Sequence, residues 1–385
     1  MLASVAVAQR ALRPGRNALA AGHVARQTCR MPSDAGRRHE VDALRALAVL
    51  LLIAYHAGIC FQPWAALIGF PQAPRPLAAI AGPMDLLSIF RIPLLFFVAG
   101  VGARFAARSR GPLALVGERA RRILLPFIFG AFAIVPLHAF VLQWTRGRFL
   151  VYEPGPAHLW FLGNLFVYVL AFLPLIAWGR TVGDGPRCAR LRAAVDRRPW
   201  LLLLAAAPHA AEALLLPRDE YYAMYALTWH GFALGAVLFA QGFLLALLDD
   251  AFWRAMRALR WPCLCAALAF GCHRLGAGGA PHWREGIESA LWLHAAIGFG
   301  SQHLDRPSAA MRYFAAAVLP VYMLHMAPMY FACAVVLPLP WSPWLQLLAV
   351  VAFTALASFG VYELVVRRVR WLRPLFGLPL APRGD

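Results

Sequence analysis

The stretch His39-Glu40-Val41-Asp42-Ala43-Leu44-Arg45-Ala46-Leu47-Ala48-Val49-Leu50-Leu51-Leu52-Ile53-Ala54-Tyr55-His56-Ala57-Gly58 decides the fold. Between Ala43 and Phe61 it is apolar apart from Arg45 and His56. At about 1.5 Å per residue, a helix of that length crosses most of a bilayer's hydrocarbon core. An arginine and a histidine inside such a segment are costly and mark a place where ions, protons or substrate are handled. The two lie eleven residues apart, about 20° from a whole number of helical turns, so they share one face about 16 Å apart along the axis. Asp42 precedes Arg45 by three residues, a spacing that permits an ion pair.

The rest of the chain repeats the apolar pattern. Hydrophobic residues make up 61% and charged residues 14% of 385, and the mean hydropathy is +0.61. A soluble domain has a polar surface to build and seldom reaches such values. The apolar residues fall in runs of about twenty, without the period-two alternation of a membrane β-barrel. The expected fold is therefore all-α, a polytopic transmembrane helical bundle. Its ten spans are placed at roughly 43–62, 86–105, 123–143, 159–178, 199–216, 222–247, 259–276, 287–304, 313–337 and 343–366. The fifth is the weakest, being short and interrupted by Pro208, His209 and Glu212.

The net charge is +19, and all 37 basic residues are arginines. They lie mostly in short segments between apolar runs, which suits contact with anionic lipid headgroups and not with nucleic acid. Counted over alternate connections, 29 arginines fall on one side and six on the other. By the positive-inside rule this makes both termini cytoplasmic, in a multi-pass protein of the cell inner (plasma) membrane. Residues 1–40 read as a basic cytoplasmic tail or the product of an upstream start codon, residues 41–370 as the membrane domain, and residues 371–385 as a short cytoplasmic tail. The seven cysteines are scattered, with no zinc or iron–sulfur spacing, so no metal is expected.

Five motifs occur in a fixed order: Arg38–Gly58; Asp85-Leu-Leu-Ser-Ile-Phe-Arg91-Ile-Pro93-Leu-Leu-Phe96-Phe97-Val-Ala-Gly100; Glu118-Arg119-Ala-Arg121-Arg122-Ile-Leu-Leu-Pro126; His158-Leu-Trp160-Phe161-Leu162; and Tyr322-Met-Leu-His325. Each is modest alone. As an ordered set covering most of the chain, they resemble the acyltransferase-3 family of integral membrane acyltransferases, and among its subgroups the periplasmic glucan succinyltransferases. The resemblance implies transfer of a succinyl or acetyl group from acyl-CoA (succinyl-CoA or acetyl-CoA) to a hydroxyl of a periplasmic glucan or other surface glycan. It matches the family's essential arginine and histidine to Arg45 and His56, and its basic motif to Arg119 and Arg122. Arg91 departs from the family's pattern; it would touch an acidic acyl group or only the membrane surface.

The chemistry of the side chains fits those roles. An imidazole accepts a proton near neutral pH and a guanidinium does not, so His56 is the candidate general base and Arg45, with Asp42 beside it, the anion holder. The bland alternative is a hydrogen-bonded core histidine and an arginine that snorkels to phosphate. Arg119, Arg121 and Arg122 are candidates for the phosphates of acyl-CoA, although such clusters also set topology. His158 is a candidate for orienting the acceptor or supporting His56, with Trp160 beside it expected to anchor the helix at the headgroups. Tyr322 and His325 either line the site or fix helix packing. Glu363 is expected to neutralise Arg45 or an arginine near it, and His230 and His294 to belong to the core. No serine or cysteine sits in a nucleophile motif, so direct transfer is preferred over an acyl-histidine. The competing function is a proton-coupled transporter, which would also use buried arginine, histidine and glutamate.

Overall fold

The computed structural model describes residues 38–217 and 220–380. Most of the basic tail expected over residues 1–40, together with Cys29, Arg218 and Arg383, lies outside the described residues. Among the described residues there is no strand, and the apolar runs fall largely on helix, with 222–228 of the sixth run outside it. Helix α1 spans His39–Ile59 and α2 spans Ala81–Ser109. The third run is one nearly continuous rod of α3 (Pro112–Arg119), α4 (Leu125–Phe129) and α5 (Val135–Thr145), joined by π turns at Ala120–Leu124 and Gly130–Ile134. Each π turn lies just ahead of a proline, Pro126 or Pro136, whose missing N–H leaves the carbonyl four residues back unpaired; the wider turn accommodates it.

The fourth run is α6 (Trp160–Ala171) and α7 (Leu173–Val182), and α8 (Pro186–Arg197) follows. The weak fifth run is a 3-10 segment, Pro199–Ala206, and the short α9 (Ala207–Ala213). Then come α10 (Trp229–Leu245), α11 (Asp250–Gly276) and α12 (His282–His303). The last two runs are α13 (Ala309–Leu324) with α14 (Met326–Val336), and α15 (Pro343–Val361) with a closing π turn.

Five of these rods are long and apolar enough to cross a membrane. They become seven when the bent pairs α6–α7 and α13–α14 each count as one span. Both pairs bend by 58°. The cause is readable in the sequence: Pro174 and Pro328 cannot donate to Leu170 and Leu324, so each helix breaks in the turn before its proline. The second break places His325 between the two halves.

The largest buried cluster joins α2, α10, α11 and α12, with Phe96, Phe97, Phe239, Phe243 and Phe252 at its centre. Helices α2 and α10 approach closely because glycines face backbone there. A Cβ on Gly100 would collide with the carbonyl of Phe239, and one on Gly242 with that of Phe97. Small residues at such crossings are what let membrane helices pack. Gly100→Leu or Gly242→Leu is expected to destabilise the bundle by about 3 kcal/mol or more. Thermal unfolding of the purified protein in detergent checks this, with Gly117→Ala, which meets open space, as the unaffected control.

Two smaller clusters flank the first. One packs α1 on the third rod and α13 through Val49, Leu52, Ile53, Val135, Val321 and Met323. The other joins the end of α1 to α14 through Phe61, Met326, Met329 and Tyr330. Together they hold the carboxyl-terminal half of α1 beside the α13–α14 break.

Candidate functional site

A cavity of about 1130 Å3 opens at the end of the bundle where α1 finishes. Its wall takes side chains from α1 (Tyr55, His56), α2 (Asp85, Ser88, Arg91), α5 (His138) and the start of the fourth run (His158, Trp160). The segment 221–227 and Tyr322, Met326 and Tyr330 complete it. His158 is delivered by a short 3-10 turn, Ala157–Leu159. Ala157 has φ +34°, a conformation that costs a non-glycine residue about 1–3 kcal/mol and is kept where the surroundings enforce it.

Three histidines of this wall, His56, His138 and His158, meet around a fourth, His325, which is buried behind them. His56 Nδ1 lies 2.8 Å from His325 Nε2 with the rings stacked at 5.1 Å. The His158 ring stands edge-on to that of His325 at 5.2 Å and to that of His138 at 5.6 Å. The hydrogen bonds fix the tautomers. His325 Nδ1 is 2.7 Å from the carbonyl of Tyr322, which can only accept, so His325 carries its proton on Nδ1. Neutral His325 then offers a lone pair at Nε2, and His56 must donate to it from Nδ1. Neutral His56 is left with its lone pair on Nε2, in a side chain that lines the cavity. His158 follows the same logic. Nε2 donates to the Met323 carbonyl at 3.2 Å, which leaves Nδ1 as an acceptor, and that atom is buried with no partner. His138 Nδ1 is likewise buried and unpartnered. The Tyr322 hydroxyl donates to the backbone carbonyl of His158 and ties the fourth run to α13.

Arg91 lies in the same cavity wall. It is 4% exposed, its Cζ sits 3.7 Å from the centroid of the Tyr55 ring, and its Nε and Nη1 have no hydrogen-bond partner. A neighbouring carboxylate, Asp85, is engaged elsewhere: it accepts from Tyr221 and from Arg274, which is also held by Glu288 at 2.8 and 3.1 Å.

The remaining candidates gather at the opposite end of α1. Arg45 Nη1 is 3.5 Å from Asp42 Oδ1. Arg119 donates to the Gly102 carbonyl at 3.3 Å, and Arg45 runs past the same glycine. Arg122 pairs with Glu118 at 3.1 Å, its charge is felt at Arg45, and the charges of Arg45 and Arg122 are felt at Arg119. Arg121 points away, exposed and bonded to Gly117 of its own helix. The structure thus divides the expected residues into two sets: His56, His158 and Arg91 in the cavity, and Asp42, Arg45, Arg119 and Arg122 at the far rim. Arg91 stands with the histidines and away from the basic motif of Arg119, Arg121 and Arg122.

Other expectations are amended. Trp160 is 8% exposed and packs against Phe96, so it lines the cavity and does not anchor at headgroups. Glu363 pairs with Arg367 one turn later, at 2.9 and 3.1 Å, and not with the arginines of the rim. His230 is held by Glu212 and the Tyr222 carbonyl, and His294 by the Ala290 carbonyl, as core residues are. His138 was missed. Its signal was present: it is a histidine inside an apolar run, as His56 is. Among the described residues no group of histidine, cysteine and carboxylate side chains has the arrangement to hold a metal ion.

Comparison with known proteins bears on this geometry. The family model described as an acyltransferase domain, acyltransferase-3, matches residues 38–363. No curated protein and no solved structure matches the chain.

Proposed function

We propose, for a chain that belongs to the acyltransferase-3 family and is therefore a membrane acyltransferase, that it moves a succinyl or acetyl group from acyl-CoA to a glycan hydroxyl, with His56 as general base. The observation that carries this reading is the tautomer chain from the Tyr322 carbonyl through His325 to His56. It holds the imidazole in one orientation and keeps the lone pair of Nε2 free in a cavity wide enough for a sugar.

A sugar hydroxyl is a poor nucleophile until its proton is removed as it attacks. In the proposed step the hydroxyl oxygen bonds to the thioester carbonyl carbon while His56 Nε2 takes the proton. The carbon–sulfur bond then breaks, and the thiolate of CoA leaves and recovers the proton from His56. His158 Nδ1, buried and without a donor, orients the acceptor by accepting from a second hydroxyl of the sugar or from an ordered water.

The arginine bias of the sequence supports a cytoplasmic amino end for α1, on the side where acyl-CoA is available. Arg45, Arg119 and Arg122 then hold the donor's phosphates as charge-assisted pairs, with Asp42 and Glu118 keeping the side chains in position. The thioester reaches His56 along α1, about 16 Å away. The cavity faces the periplasm of a cell inner membrane, where a glucan or other surface glycan supplies the hydroxyl.

Transfer of labelled acyl groups from acyl-CoA to a β-glucan oligosaccharide by the purified protein tests the reading; no transfer to any glycan hydroxyl defeats it. The rim makes a separate prediction. Arg45→Gln should raise KM for acyl-CoA by about 10–100-fold, the worth of one charged hydrogen bond, with kcat at saturating donor little changed. An unchanged KM removes Arg45 from the donor site.

A further inference from the structure

Arg91 is a cation without a counter-ion in the wall of the active cavity. A buried guanidinium with no counter-ion and with donors left unpaired is held at a cost, and chains retain such a group where something else completes it. Here Nε and Nη1 are buried and unpartnered, and the side chain is 4% exposed. Tyr55 covers one face of the guanidinium and hydrogen-bonds to it, which leaves Nε and Nη1 on its planar edge, the part that matches a carboxylate. The protein's own acids do not fill that place. Asp85 is shared between Arg274 and Tyr221, and Glu153 is exposed at the cavity mouth.

We propose that Arg91 binds the free carboxylate of a dicarboxylic acyl group, such as succinyl, and so selects that donor over acetyl. The inference rests on the acyl-transfer reading above and names its donor class. Distance favours the acyl group over the acceptor as the source of the anion. The Tyr55 ring centroid lies 6.1 Å from that of His56 and 3.7 Å from Arg91 Cζ, so guanidinium and base are within about 10 Å of each other. A hydroxyl held by His56 attacks a carbonyl at about 3 Å, and a carboxylate meets a guanidinium at about 2.8 Å. The remainder is the length of a short acyl chain. An acidic group on a glycan would instead meet Arg146 and Arg148, which are exposed at the mouth.

The test compares succinyl-CoA and acetyl-CoA on the purified full-length protein, by the concentration at which each raises the thermal-unfolding midpoint and by kcat/KM for transfer to a β-glucan oligosaccharide. The wild type should favour succinyl-CoA by about 100-fold, Arg91→Gln should bring the two donors level, and Arg91→Lys should keep part of the preference. Equal donors in the wild type, an undiminished preference in Arg91→Gln, or equal loss of both donors would overturn the assignment. So would a loss that follows the charge of the acceptor and not of the donor. If Arg91→Gln does not fold, the wild-type ranking and Arg91→Lys still decide. Ranked binding with no transfer to any glycan would leave Arg91 as a carboxylate site and defeat the acyl-transfer reading instead.

Discussion

Replacing His56 with alanine is expected to lower kcat for acyl transfer by about 10³-fold or more while leaving donor affinity and folding intact. General base catalysis is worth about 10²–10⁴, and the cavity wall provides no second nitrogen in the same setting. His158 and His138 carry unpartnered Nδ1 atoms, but neither has its ring fixed through a second imidazole as His56 does. The KM for acyl-CoA should hold because the phosphates are bound about 16 Å away, at the other end of α1. A His56→Ala protein with wild-type turnover would remove the base from the mechanism. One with normal kcat and a raised KM would make His56 a binding residue.

His325→Ala should be the next most damaging change, lowering kcat by about 10²-fold. His325 is fully buried behind His56 and does not line the cavity, so it acts as a positioning residue. Without it the His56 Nδ1 proton loses its acceptor, the ring can turn, and the base nitrogen is no longer fixed toward the substrate. Packing loss alone would also reduce activity, so the discriminating variant is His325→Gln. Its side-chain oxygen can accept from His56 Nδ1. Recovery of at least a tenth of wild-type kcat by glutamine, but not by leucine, is the expected result. Equal loss in both would mean that His325 serves only to fill the α13–α14 break.

The architecture was largely open to reading because membrane helices announce themselves by run length. The runs fall largely on helix, but five rods, or seven with the bent pairs joined, pass as spans against the ten expected, and the run over 199–216, broken by Pro208, is a 3-10 segment with a two-turn helix. Local geometry was also legible. Arg45 and Asp42 pair at the spacing that helical periodicity allows, and both 58° bends precede prolines visible in the chain. What periodicity cannot reveal is which helices face each other. His325 meets His56 across 269 positions, and Arg274 reaches Asp85 across 189. The same limit explains Arg91 and Trp160. Both sit at depths where membrane-surface contact is the usual role, and only packing shows that they turn inward. Glu363 found a partner on its own helix, four residues on, so of the two alternatives, Arg45 or a neighbouring arginine, the nearer one holds. His138 was legible in kind but had no motif around it to draw attention.

The most direct test of the central claim is mass spectrometry of periplasmic glucans from cells that express the native chain or its His56→Ala variant. The account predicts an acyl increment, of succinyl mass if Arg91 acts as inferred, on glucans from the native chain and its absence from those of the variant. Unmodified glucans in both strains would contradict the assigned acceptor, and equal modification in both would contradict the role of His56.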